Sequence, residues 1–195
     1  MSMRLSLLVI GFGILAYLPL KAQEQSCSAV MSTPSGSITF LEQQKGARKS
    51  PCISSVIKRL GQSRDAHAVH LLVSYLDFVD PSTMPLPGAN AYVRPAYPAI
   101  EALFEIGQPA ASELMSAIGA SESVVIRQNA AKTYLSVYRD DLASGIRQLK
   151  KEGLIAKTAE ARNRLSEAST MLIDDCSHRA EPEARSCRDA AARIQ

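Results

Sequence analysis

His67 and His70 stand three residues apart in a stretch with helical spacing, a separation that lets two imidazoles face one metal ion. Asp77 lies further along the same stripe, but seven residues of helix carry it about 10.5 Å past His70, outside a shared coordination sphere. A metal would need ligands that the sequence does not signpost, so the pair reads as the polar outer face of a helix. No glycine-rich phosphate loop follows a strand, and neither Gly-x-Ser-x-Gly nor His-Glu-x-x-His occurs. No catalytic residue and no cofactor are expected.

A second candidate is the stretch 78–98, which gathers Pro81, Pro85, Pro87, Pro95 and Pro98 around Gly88, Asn90, Tyr92, Arg94 and Tyr97. Prolines stiffen such a segment, and rigid aromatics give contact area at small entropic cost, which makes Tyr92, Arg94 and Tyr97 the candidate binding residues. The alternative is a passive connector. Arg147, Lys150, Lys151 and Lys157 form a modest basic strip flanked by Glu152 and Glu160, which is either a solvated helix face or a contact for an acidic partner.

Four cysteines, Cys27, Cys52, Cys176 and Cys187, have chemistry of their own. Ahead of them Arg4 precedes an apolar run from Leu5 to Leu18 that breaks at Pro19 and reaches the small residue Ala22, the pattern of a signal peptide over 1–22. The run falls short of the roughly 20 apolar residues of a spanning helix, which argues against a retained anchor and against stable membrane insertion after cleavage. Glu24, Gln25 and Ser26 are unlike an apolar lipobox. In an exported chain, periplasmic or secreted, four cysteines imply two disulfides. Of the three connectivities, Cys27 with Cys52 and Cys176 with Cys187 is favoured, the latter pair flanking a turn at Pro182.

The whole chain of 195 residues carries 22 basic against 19 acidic side chains, and loss of Arg4 and Lys21 with the leader leaves 20 against 19. Nucleic-acid binding needs a concentrated basic surface, so that class is set aside. The 46% hydrophobic content and the length suit one domain.

The elements that must position these residues are helices. Apolar side chains recur at i, i+3, i+4, i+7 in Ile53, Val56, Ile57, Leu60; in Ala68, Leu71, Leu72, Tyr75; in Ala111, Leu114, Met115, Ile118; and in Ala131, Tyr134, Leu135, Tyr138. Weaker versions run through Ile100, Leu103, Phe104, through Leu142, Ile146, Leu149 and through Ala161, Leu165, Ala168, Leu172. No period-two pattern is sustained, so the protein is read as all-α. Ser50 and Pro51 are expected to start a helix, Gly61 to end it in a left-handed conformation, and Ser63 to cap the next. Gly107 and Pro109 repeat that stop and start, so each pair of helices is an antiparallel hairpin.

Leu60, Gly61, Gln62 match Ile106, Gly107, Gln108, and Leu71, Leu72, Tyr75 match Leu114, Met115, Ile118, an internal repeat. The phrases "IKRLGQSRDAHAVHLLVSYL" and "AIEALFEIGQPAASELMSAI" resemble HEAT-like repeats of the phycobilisome-lyase type. Ile126, Arg127, Ala130 and Ala131 resemble a third copy, in which Arg139, Asp140 and Asp141 replace the glycine turn. In the resembled family that arginine supports neighbouring turns. The resemblance implies a short α-solenoid of stacked hairpins, an armadillo-type superhelix. The organisation expected is a signal peptide at 1–22, an N-terminal extension at 23–49 and a repeat domain at 50–195 with its insertion at 78–98. The function it favours is binding or scaffolding of another protein in the cell envelope or outside the cell. A lyase or hydrolase using a groove between repeats, or a purely structural envelope protein, are the alternatives.

Overall fold

The computed structural model describes residues 27–83 and 97–192, and these are helical throughout, with no strand among them. After a short helical stretch at 27–30 come α1 (Pro34–Gln44), α2 (Ile53–Gln62), α3 (Val69–Val73), α4 (Pro98–Ile106), α5 (Ala111–Ala120), α6 (Val124–Val137), α7 (Leu142–Ile155), α8 (Ala159–Ser177) and α9 (Glu183–Ala192). No helix among the described residues is long and apolar enough to cross a membrane. The expected signal peptide, with Tyr92 and Arg94, lies outside the described residues.

Burial follows the apolar periodicity. Ile53, Val56, Ile57 and Leu60 of α2, Leu114 and Ile118 of α5, Tyr134 of α6, Ile146 and Leu149 of α7, and Leu165 and Leu172 of α8 all lie in one continuous core. In a helix these spacings form a single stripe, and burying that stripe supplies most of the stability that short helices lack on their own.

Two consecutive helix pairs share their local detail. In each, a helix is followed by a single 3-10 turn, Ala66–Ala68 or Gln108–Ala110, that leads into the second helix. Helix α2 packs on α4, and α3 packs on both α4 and α5. The matched glycines nevertheless do different work. Gly107 takes φ 78°, a conformation open to glycine, and its N–H bonds the Leu103 carbonyl at the end of α4. Gly61 instead lies buried inside α2, and the left-handed residue that follows is Arg64, at φ 51°. What Gly61 provides is clearance for α4. The 3-10 turn that leads into the second helix of that pair is capped by Asp65, whose carboxylate accepts the His67 N–H at 3.0 Å, while the Ser63 hydroxyl turns back to the Leu60 carbonyl. Asp65 outcompetes Ser63 because it is the residue directly ahead of the turn, in extended conformation, where an N-cap must sit.

The third copy lacks the 3-10 turn of the first two helix pairs. Helix α6 packs on α5 and α4 and touches α7 only sparingly, whereas the main partners of α7 are α8 and α9. Tyr134 and Tyr138 fill the corner between α6 and α7, their ring centroids 4.8 Å apart, with the Tyr134 hydroxyl donating to the Gly145 carbonyl at 3.1 Å. Asp141 caps α7 by accepting the Ser144 N–H at 3.1 Å, so the Arg139 to Asp141 segment that replaces the glycine turn starts a new helix. The antiparallel partner of α7 is therefore α8, and α8 also packs on α5.

The ends are tied down by the expected disulfide pairs, Cys27 to Cys52 and Cys176 to Cys187, with Cα separations of 5.3 and 6.2 Å. From Cys27 onward the N-terminal extension is part of the packed body. Leu41 of α1 is fully buried and its carbonyl accepts the Tyr75 hydroxyl at 2.6 Å.

Candidate functional site

The sequence candidates separate in space. His67 is exposed in the 3-10 turn, and His70, also exposed, places Nδ1 3.1 Å from Oε2 of Glu113 on α5. Asp77 is engaged elsewhere, accepting from the Arg48 guanidinium at 2.5 Å. That guanidinium also bonds the Ser74 carbonyl at 2.7 Å and lies 5.0 Å from the centre of the Tyr75 ring. His67, His70 and Asp77 are thus not brought to one point. Among the described residues no group of three or more His, Cys, Asp or Glu side chains is placed to hold a metal ion.

Tyr97 sits at the start of α4 and is half-buried against the core, so its ring serves packing at the edge of the insertion. Arg127 donates to the carbonyls of Ser121 and Glu122 at 2.9 and 3.0 Å, and Arg164 of α8 donates to those of Gly119 and Ser121 at 3.1 and 3.2 Å. Two cations thus converge on the C-terminal end of α5, where unpaired carbonyls and the negative end of the helix dipole collect.

Three buried polar groups are structural in the same sense. Burial pushes the Asp80 carboxyl up, but the Ser82 hydroxyl and N–H, Ser54 and the Lys58 ammonium outweigh it and hold its pKa below the ordinary value. Burial raises the Tyr75 hydroxyl, with Arg48 opposing, and burial with the neighbouring Tyr138 raises that of Tyr134 far above its usual range. Neither phenol is poised to give up a proton near neutral pH.

Among the described residues a concavity lies between α7 and α8, with a volume of about 390 Å³, within the range of small-ligand sites. Helix α7 contributes Leu149, Lys150, Gly153 and Leu154. Helix α8 contributes Arg162, Ser166, Ser169, Thr170 and Ile173. The charged side chains among these lining residues are both cations. The Lys150 ammonium donates to the Ala191 carbonyl near the end of α9, and Arg162 donates to the Ala156 carbonyl at 2.9 Å, each with donors left over. Ser169 is 4% exposed, and its Oγ is a buried side-chain polar atom with no hydrogen-bond partner among the described residues. Leu154 and Ile155, 68% and 65% exposed, end α7 beside the groove.

Of the sequence candidates among the described residues only the basic strip reaches this groove, through Lys150. The α8 wall was unmarked, although Arg162, Ser166, Ser169, Thr170 and Ile173 recur at helical spacing and form a face of small polar residues that could have been read.

No protein-family model matches the chain, and no curated protein or solved structure matches it either.

Proposed function

We propose that the chain is an exported HEAT-like repeat protein, a short solenoid of antiparallel helical hairpins that binds or scaffolds another protein in the cell envelope or outside the cell. The observation that supports this reading is the packing of two consecutive helix pairs with the same internal detail. Helix α2 lies on α4, α3 lies on α5, and each second helix is introduced by the same kind of 3-10 turn. Repeated hairpins of this kind bury a shared core and leave an extended outer surface, a shape that suits gripping a macromolecule. The two disulfides support export, since they form and persist in oxidising compartments.

The test is crosslinking capture. Residues 23–195, purified with disulfides intact, are exposed to the envelope and culture-fluid fractions of the source cell, crosslinked, and the products identified by mass spectrometry. A stoichiometric protein partner is expected, and absence of one from both fractions would overturn the reading. Deleting residues 84–94 in the same experiment assigns or removes the proline- and tyrosine-rich insertion as a contact.

A further inference from the structure

The groove between α7 and α8 has the composition of a recognition site rather than of a packing fault. Its floor and rim are apolar at Leu149, Leu154 and Ile173, and its charges are the two cations Lys150 and Arg162. Here the side chains ask for two things at once: a negative charge and an aliphatic group.

We infer that this groove binds an acidic, aliphatic peptide segment, a stretch in which a carboxylate lies beside leucine-like side chains. The inference rests on the protein-binding reading above and names the chemistry of the partner.

Charge complementarity selects the acid. Arg162 is exposed and uses one guanidinium nitrogen on the Ala156 carbonyl, and Lys150 uses one of three ammonium donors on the Ala191 carbonyl. Both keep donors for a carboxylate, and hydrogen bonds to ionised groups are about twice as strong as neutral ones. Lys151 and Lys157 on the same stretch are offset by Glu152 and Glu160, so the charge that faces the groove is that of the two lining cations.

The choice of a peptide over a free alkyl acid follows from the protein-binding reading above, and the competitor in the experiment below tests it. The exposed Leu154 supplies apolar surface for the segment's aliphatic side chains at the mouth.

The experiment is fluorescence anisotropy on the disulfide-intact chain, with a fluorescein-labelled peptide of alternating leucine and glutamate. Its glutamine counterpart and decanoate serve as competitors. The acidic peptide is expected to bind, the glutamine peptide to bind at least about tenfold more weakly, and decanoate not to compete. Lys150→Gln with Arg162→Gln keeps a donor at each position while removing the charge, and is expected to weaken binding about tenfold or more. Ser166→Trp, at an exposed helical position on the groove wall, is expected to block binding while circular dichroism stays unchanged. Equal binding of the glutamine peptide, wild-type affinity in either variant, displacement by decanoate, or no binding of the acidic peptide would each overturn the inference.

Crosslinking capture with the same variants separates this inference from the reading beneath it. A partner captured equally by wild type and by Ser166→Trp overturns the groove and leaves the binding module standing. Peptide bound in the groove with no partner captured supports the groove and overturns the module.

Discussion

Gly61 and Ala102 mark the tightest approach of α2 to α4: a Cβ built on Gly61 would lie 2.5 Å from the Ala102 Cα. The atom in the way belongs to backbone, so no rotamer change relieves the clash. Gly61→Ala is therefore expected to destabilise the protein by about 1–2 kcal/mol, the strain of overpacking less the helix-propensity gain of alanine. Gly153→Ala is the control, because the nearest neighbour of its Cβ is the Leu165 Cβ at 3.8 Å. There the same substitution is expected to stabilise by up to about 1 kcal/mol. Urea denaturation of both variants checks the opposite signs, and equal effects would contradict the close approach.

That pair also shows where the sequence was legible. The stripe from Ile53 to Leu60 and its counterparts marked buried faces, because amphipathic spacing reports burial directly. The matched Leu-Gly-Gln and Ile-Gly-Gln phrases marked equivalent hairpin ends, but not why each glycine is there. A glycine needed for positive φ, as at Gly107, and one needed for lack of a Cβ, as at Gly61, look the same in a string of letters. The change of partner at α6 was hidden for a similar reason. Whether α7 pairs with α6 or α8 depends on how Tyr134 and Tyr138 fill a corner against Gly145, a three-dimensional fit that periodicity does not encode. The groove was half legible: Lys150 stood out by charge, whereas Arg162 joins it only because α7 and α8 pack side by side.

Tyr75→Phe removes the hydroxyl that donates to the Leu41 carbonyl at 2.6 Å and leaves that buried carbonyl unpaired. A loss of about 1–3 kcal/mol is expected. Because the bond joins α1 to the segment after α3, amide exchange should accelerate first in α1 (Pro34–Gln44), and exchange that rises uniformly over the chain would argue against this local role.

Asp80 predicts an acid-side dependence of stability. Its folded pKa lies below the ordinary value of 3.8, so the unfolded chain binds the proton more readily. Its contribution is then complete above about that value and is lost as pH falls through the lower, folded pKa. Asp80→Asn is expected to reduce stability at neutral pH by about 1–3 kcal/mol and to flatten the stability profile below pH 4. Denaturation midpoints measured across the acid range decide this, and a variant that keeps the wild-type acid slope would remove Asp80 as its source.

The disulfides close loops of 25 and 11 residues, and loops of that size are each worth about 3 kcal/mol through restriction of the unfolded chain. Replacing Cys176 and Cys187 together by alanine is expected to lower stability by roughly that amount and to loosen α9. Helix α9 is held by packing on α7 and α8 and by the Lys150 bond to the Ala191 carbonyl. Limited proteolysis should cut first after Arg179, Arg185 or Arg188, whereas initial cleavage in α2 would show that the staple acts on the whole body.

Ser169→Ala tests the interior of α8. Among the described residues the Ser169 hydroxyl is buried without a partner, so its removal takes away an unfavourable group in the middle of α8. Alanine is also the better helix former by about half a kcal/mol. The variant is expected to be more stable than wild type by about 1 kcal/mol, visible as a higher urea midpoint at unchanged m value. A destabilised Ser169→Ala would instead show that the hydroxyl already has a partner in the free protein.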